Sequence, residues 1–354
     1  MERFTRLGVL ANAHPGGVWA VAAIPPAGGA GADTPEGAFL TGGLDGCVRL
    51  WRPPPPSSVM EDADADADAS AKADAPPLYV ATTAGGDAPP HPAGVLSIAV
   101  AAAAPVAVSS SLDGTVCRWR LAASAGAPAV ADEADGDDDA GDGALSPPLT
   151  LLPPITRDAL KSWAVALTPS GSVAAVAGQA DAAEDGAIAE ASGAITLYAL
   201  GEGGDEDGSV AAAPTYVASP EASKGAMCLS LTPLDGGKKL AAAYSNGTVA
   251  VLDVAAEAVT TTLPSAAGPV RCLTAAPAGA VPGAGDEGLW AAADDGLLYL
   301  YDTAAGVVAS VRRGHRGSVL GVAASPGGGV RCDCRRRPVG AGVGGAVGAG
   351  GGAQ

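Results

Sequence analysis

Three histidines are the only side chains of this 354-residue chain whose ordinary pKa lies near neutrality. A histidine can act as a general base, ligate a metal or join a buried hydrogen-bond network, and the surrounding residues decide which. His14, His91 and His315 share one setting: each lies five residues before a residue of an apolar stretch, namely Trp19, Leu96 and Leu320. Hydrolysis by nucleophilic catalysis needs a nucleophile, a free base and an orienting acid. With all three histidines in one repeated place, no base is left over. No G-x-S-x-G elbow, Walker loop or dinucleotide fingerprint occurs either. Of the six cysteines, Cys47, Cys117, Cys228 and Cys272 sit one per segment inside apolar patterns, as reduced core thiols do. Cys332 and Cys334 form a lone C-x-C with no second pair, too few ligands for structural zinc. Asp62, Asp64, Asp66 and Asp68 alternate as in a calcium loop but lack its Gly at position six and Glu at position twelve. The expectation is no catalytic residue, no cofactor and no metal site.

The elements that carry these histidines repeat. A short motif recurs five times: LDGCVRLW ending at Trp51, LDGTVCRW at Trp119, ASGAITLY at Tyr198, SNGTVAVL at Leu252 and DDGLLYLY at Tyr301. In each, a glycine (Gly46, Gly114, Gly193, Gly247 or Gly296) stands five residues before the last position, mostly after Asp or Asn. Asp-Gly or Asn-Gly followed by alternating apolar residues predicts a tight hairpin, because the turn needs positive φ. A second motif precedes each hairpin and appears six times: VWAV from Val18, VLSI from Val95, SWAV from Ser162, AMCL from Ala226, VRCL from Val270 and VLGV from Val319. Each unit then supplies four short strands, and the stretch Val95–Val108, broken at Pro105, reads as two of them. Four-strand units that begin at a His and carry a Trp-ended third strand indicate an all-β WD-repeat β-propeller.

That fold gives the histidines a structural task. A His, the turn Asp, a hydroxyl on the second strand and a Trp indole N–H can clasp one blade together, since buried polar groups persist only when paired. The expected clasps are His14, Thr41, Asp45 and Trp51 in unit one and His91, Ser109, Asp113 and Trp119 in unit two. Units three to five carry Asp158, Ala222 and Ala266 at the His position, so their clasps are incomplete.

Composition agrees with this picture. Only 4% of residues are aromatic, and no apolar run reaches the 18 residues a membrane span needs. Met1–Leu10 lacks the apolar block of a signal peptide, so the expectation is a soluble intracellular protein. The net charge of −18 is concentrated in Glu61–Asp74, Asp132–Asp142, Asp181–Glu190 and Glu202–Asp207, which hold 21 of 38 acids. The expected organisation is a propeller over residues 1–330 with disordered acidic insertions near 53–77, 122–148, 179–191 and 201–214, followed by a Gly-rich unstructured tail, 331–354. The body outside the insertions is nearly neutral and has no basic stripe, which argues against direct nucleic-acid binding.

HPAGVLSIAVAAAAPVAVSSSLDGTVCRWRL, AHPGGVWAVA, FLTGGLDGCVRLW and SWAVALTPSG together resemble the WD-repeat subunits of the Ski (superkiller) complex, which also serve the Paf transcription-elongation complex. The resemblance covers about residues 1–326. It implies a non-catalytic scaffold in cytoplasm and nucleus, beside a helicase and a helical-repeat subunit that feed mRNA to the exosome for 3'-5' decay. By analogy with other WD-repeat proteins, partners dock where the innermost strands begin. The expected contacts there are Trp19, Leu96, Trp163, Met227, Arg271 and Leu320, with packing as the alternative for the two Trp. Two residues further on, Val21, Ile98, Val165, Leu229, Leu273 and Val322 are assigned to blade cores. Alternatives from other classes are a ubiquitin-ligase substrate receptor, which the absence of Trp-Asp-x-Arg disfavours, and a propeller hydrolase.

The family has seven blades, closed by an N-terminal strand that Phe4–Leu10 would supply. Here the repeat stops after Val319–Pro326, leaving about five full blades and the start of a sixth before VRCDCRRRPVGAGVGGAVGAGGGAQ. The abrupt break suggests a shifted reading frame or a mis-predicted exon. A chain ending so is expected to aggregate and to bind partners poorly.

Overall fold

Short apolar runs rich in Val and Ala, each ending at a glycine or proline turn, favour extended backbone. The computed structural model describes residues 13–25, 38–52, 80–84, 89–121, 149–155, 160–180, 193, 195–200, 215–217, 221–282, 287–313, 315, 317–324 and 330–334. The first antiparallel sheet contains β1 (Val18–Ala23), β2 (Phe39–Gly43), β3 (Val48–Arg52) and β4 (Val80–Ala84). The second contains β5 (Val95–Val100), β6 (Val106–Ser111), β7 (Val116–Leu121) and β8 (Leu149–Ile155). In the third are β9 (Leu160–Leu167), β10 (Val173–Ala180), β11 (Ile195–Ala199) and β12 (Thr215–Val217). The fourth holds β13 (Cys228–Leu234), β14 (Lys239–Tyr244), β15 (Val249–Asp253) and β16 (Ala258–Leu263). The fifth holds β17 (Val270–Ala275), β18 (Gly288–Ala293), β19 (Leu297–Asp302) and β20 (Val307–Arg313). Last comes a two-stranded sheet, β21 (Val319–Ala324) with β22 (Val330–Cys334). No helix among the described residues is long and apolar enough to cross a membrane.

Successive sheets contact one another through their first strands: β1 meets β5, β5 meets β9, and so on to β17 and β21. This is an all-β WD-repeat propeller. Its hydrophobic core lies between blades rather than within them. Leu40 and Leu50 of the first blade cluster with Val95 and Trp119 of the second, and Val108 of the second with Val165 and Val176 of the third. The same pattern continues to Trp290 and Leu300, which pack on Val319 and Val322.

All five predicted turn glycines have positive φ, from 74° at Gly46 to 90° at Gly247. The Gly46 position is doubly demanding, since a Cβ there would also run into the His91 carbonyl of the next blade.

Three expectations need correction. The tail boundary at 331 is too early, because Val330–Cys334 forms β22 against β21, with Val322 paired to Cys332 and Val319 to Cys334. Alternating residue types after the Pro-Gly run are enough to add a second strand. The insertion near 179–191 starts later, since β10 continues through Ala180. Val21 is not in a blade core: it is 69% exposed, whereas Val165 in the corresponding place is 5% exposed. The remaining insertions, Phe4–Leu10 and residues 335–354 lie outside the described residues.

Candidate functional site

The first blade brings its four predicted clasp residues together. β2 supplies Thr41, the turn supplies Asp45, β3 supplies Trp51, and His14 comes from the segment before β1. The Trp51 indole Nε1–H donates to Thr41 Oγ1 at 2.8 Å, and Thr41 Oγ1 lies 2.7 Å from His14 Nε2. His14 Nδ1 is 2.8 Å from Asp45 Oδ1. One tautomer satisfies every group: Nδ1–H donates to Asp45, Nε2 accepts from Thr41, and Thr41 accepts from Trp51. Burial raises the Asp45 pKa, but hydrogen bonds from Arg49, His14 and the Cys47 N–H outweigh it and hold the carboxyl below its ordinary value. Arg49 was not among the expected residues. Its Nη1 donates to Asp45 Oδ2 at 2.6 Å and also abuts His14 Nδ1. Alternation along β3 places residues 49 and 51 on one face, and that was the available signal.

Hydroxyl, imidazole and carboxylate in series resemble a hydrolytic triad, yet the arrangement cannot deliver a nucleophile. Thr41 is buried and its oxygen is occupied by the indole. The geometry serves a clasp.

Blade two repeats only half of this. Trp119 Nε1–H donates to Ser109 Oγ at 2.7 Å, which lies 2.7 Å from His91 Nε2. Asp113 does not complete the chain: its Oδ1 accepts the Thr115 N–H at 2.8 Å instead, capping its own turn, and His91 Nδ1 is buried without a partner. The physical reason lies on β7, where Cys117 stands in the place of Arg49, so no cation holds the carboxylate over the ring. Burial pulls the His91 pKa down from 6.5 to about 4, against a weaker upward pull from the Asp113 charge.

The remaining blades improvise. In blade four the Asn246 amide donates to the Ala222 carbonyl at 2.7 Å, and Thr248 Oγ1–H to the same carbonyl at 3.2 Å. The fully buried ring of Tyr244 sits opposite Cys228, the place where blade one has Gly43 opposite Val18 and packs the His14 imidazole on that glycine. In blade five the Tyr301 hydroxyl donates to the Pro264 carbonyl at 2.9 Å and the Tyr299 hydroxyl to Asp295 at 2.6 Å. Asp158 of blade three lies outside the described residues.

A second set of residues faces outward. Each first strand carries one residue that its partner strand skips: Trp19, Leu96, Trp163, Leu229, Arg271 and Leu320. Such β-bulges re-aim a side chain out of the ladder. Trp19, Arg271 and Leu320 are exposed; Leu96, Trp163 and Leu229 are partly covered. Five of the six are predicted contact residues. Met227 is the exception, since the register places Leu229 at the bulge of β13. Counting back from the turn glycine gives the same register, since Leu229 stands 18 residues before Gly247 as Leu96 stands 18 before Gly114. By the same register Leu231, not Leu229, faces the preceding blade core.

The bulges share a face with the hairpin turns. Leu44 N–H donates to Gly17 O, Ser245 N–H to Met227 O and Asp294 N–H to Pro269 O, tying each turn to the start of its first strand. Arg271 is held there by a fork to Asp294, with Nη2 2.5 Å from Oδ2. This face is apolar over blades one to three and ionic at blade five. Trp163 additionally has a buried indole N–H with no acceptor.

Residues 5–52 match the WD domain, G-beta repeat family. The match spans the whole of the first unit, from before His14 to Trp51, so the most regular clasp belongs to the WD repeat that sequence comparison finds. No curated protein matches the chain.

Proposed function

We propose that this chain is a non-catalytic subunit of the Ski complex, assisting exosome-mediated 3'-5' mRNA decay, and that it also serves the Paf transcription-elongation complex. WD repeats are protein-interaction modules, and the coarser reading of a scaffold follows from the fold. One observation carries the scaffold reading: six bulged first strands present one unpaired residue each on a single face, while His14 and His91 are turned inside their blades. Aromatic and Arg side chains on such a face are the types that dominate protein–protein binding energy. What supports the Ski and Paf assignment is the sequence SSSLDG at Ser109–Gly114 and SWAVALTPSG at Ser162–Gly171. The partners would be the helicase and helical-repeat subunits, met in the cytoplasm and, for Paf, in the nucleus.

Affinity purification of the tagged chain from its own cells tests this. The reading expects a helicase and a helical-repeat protein among the captured proteins, both lost when Trp19 is changed to Ala. Recovery of ubiquitin-ligase components instead, with neither of those proteins, would overturn it.

A further inference from the structure

The residue before the turn glycine does a different job in blade four. Asp45 accepts from His14 and Arg49, Asp113 accepts the Thr115 N–H, and Asp295 accepts the Tyr299 hydroxyl at 2.6 Å and the Ala267 N–H at 3.3 Å. With Ala222 in the place of the histidine, the group facing the blade-four turn is a backbone carbonyl, which only a donor can satisfy. Asn246 is that donor: its Nδ2–H bonds to Ala222 O at 2.7 Å, while its Oδ1 accepts the Thr248 N–H at 3.1 Å. The chain has two asparagines, Asn12 before Ala13 and Asn246 before Gly247, and the second is exposed. Asn-Gly is the sequence in which the following backbone nitrogen reaches the side-chain carboxamide carbon most easily, because glycine has no Cβ to block the approach. In the closed turn three bonds oppose that approach. Both ends of the carboxamide are held, and the Gly247 N–H is engaged with Tyr244 O at 3.1 Å.

We propose that Asn246 is a deamidation site, gated by opening of the blade-four turn, and that its product keeps the turn from closing again. The Gly247 nitrogen, having lost its proton to solvent base, forms a bond to Asn246 Cγ; the carboxamide C–N bond breaks and ammonia leaves. Water then opens the cyclic imide at one of its two carbonyls, leaving aspartate or isoaspartate. Water is the only co-reactant, and nothing is oxidised or reduced. Aspartate sets a carboxylate against the Ala222 carbonyl, two acceptors with no proton between them. Isoaspartate instead lengthens the main chain by one carbon in a turn that holds its neighbours. Gly247 O accepts the Ala266 N–H of the segment before β17 at 3.0 Å. Ser245 N–H donates to Met227 O at 2.9 Å, and Ser245 Oγ accepts the Met227 N–H at 3.0 Å. Deamidation therefore frees the stretch from Glu221 to Met227 ahead of β13 and slackens the tie to blade five. It does so whichever complex the chain serves.

Peptide mapping by mass spectrometry during incubation of the full chain at mildly alkaline pH is the test, run folded and in denaturant, with Thr248→Val and Asn246→Asp as variants. Aspartate and isoaspartate should accumulate at position 246 in the folded chain, more slowly than in denaturant. Thr248→Val keeps the Asn-Gly sequence and the backbone N–H but removes the hydroxyl bond to Ala222 O. It should convert Asn246 about fivefold faster, the factor that one lost hydrogen bond supplies to local opening. Asn246→Asp, the product made directly, should melt at a lower temperature than the parent and be cut more readily by protease between residues 221 and 227. A folded chain that forms no product at 246, equal rates folded and in denaturant, or a Thr248→Val chain that converts no faster would overturn the proposal. So would an Asn246→Asp chain that melts and resists protease like the parent.

Discussion

The hydrogen-bond chain Trp51–Thr41–His14–Asp45 makes a sharp demand on single residues. Removing the Thr41 hydroxyl strands both an indole donor and an imidazole acceptor inside the blade, so Thr41→Ala should cost about 1–3 kcal/mol in chemical denaturation. The two turn aspartates should then behave differently. Asp45→Ala breaks a carboxylate–imidazole–guanidinium cluster, whereas Asp113→Ala removes only a turn cap, and the first loss should clearly exceed the second. The pH dependence follows from His91. Its unfolded form takes up a proton below about 6.5, but the folded form refuses it until about 4. Stability from keeping the ring neutral is therefore complete above pH 6.5 and is lost as pH falls toward 4. Asp45 and Asp113 are lowered from 3.8, so their contribution is lost only at still lower pH. Melting temperatures between pH 7 and 4 should decline in the unaltered chain, and the slope should flatten in His91→Asn. The clasp of the first blade was legible because His, Thr, Asp and Trp each have one place in the repeat. The failure of Asp113 was not, because it turns on whether residue 49 or its counterpart 117 carries a charge.

Hairpins and bulges carry the next level. The five Asp-Gly-like turns were legible from the backbone requirement at glycine, and each connects the second and third strands of its blade. Gly46→Ala should destabilise by about 1–3 kcal/mol, because φ of 74° is strained for any Cβ and that atom would press on the His91 carbonyl. Equal stability of the Gly46→Ala chain and the parent would mean the two blades are not locked through this turn. The bulges were not legible, since a skipped residue leaves no mark on an alternation read over four positions. Five of the six bulge residues nevertheless coincide with residues predicted as contacts from their distance to a shared landmark, the His or the turn. In blade four the predicted contact, Met227, lies two residues before the bulge at Leu229, and β22 was missed because it has neither a turn glycine nor an aromatic end.

Across the whole molecule, stability resides in seams between Ala- and Val-rich blades, and binding is assigned to a face the seams leave free. Trp119, fully buried, and Trp51 bond inward to Ser109 and Thr41; Trp19 and Trp163 ride on bulges. The fold as an array of four-stranded units was readable from repetition alone, whereas the pairing of each inter-blade seam becomes visible only once the blades are assembled. The central claim separates these two classes of tryptophan. It is tested most directly by measuring, for Trp19→Ala, Trp163→Ala, Trp51→Ala and Trp119→Ala in parallel, the amount of helicase and helical-repeat partner captured and the melting temperature. The account predicts that the first two lose most of the partner with little change in melting, and that the last two lose about 3–5 kcal/mol of stability. Equal stability losses in all four, with capture intact in Trp19→Ala and Trp163→Ala, would contradict it.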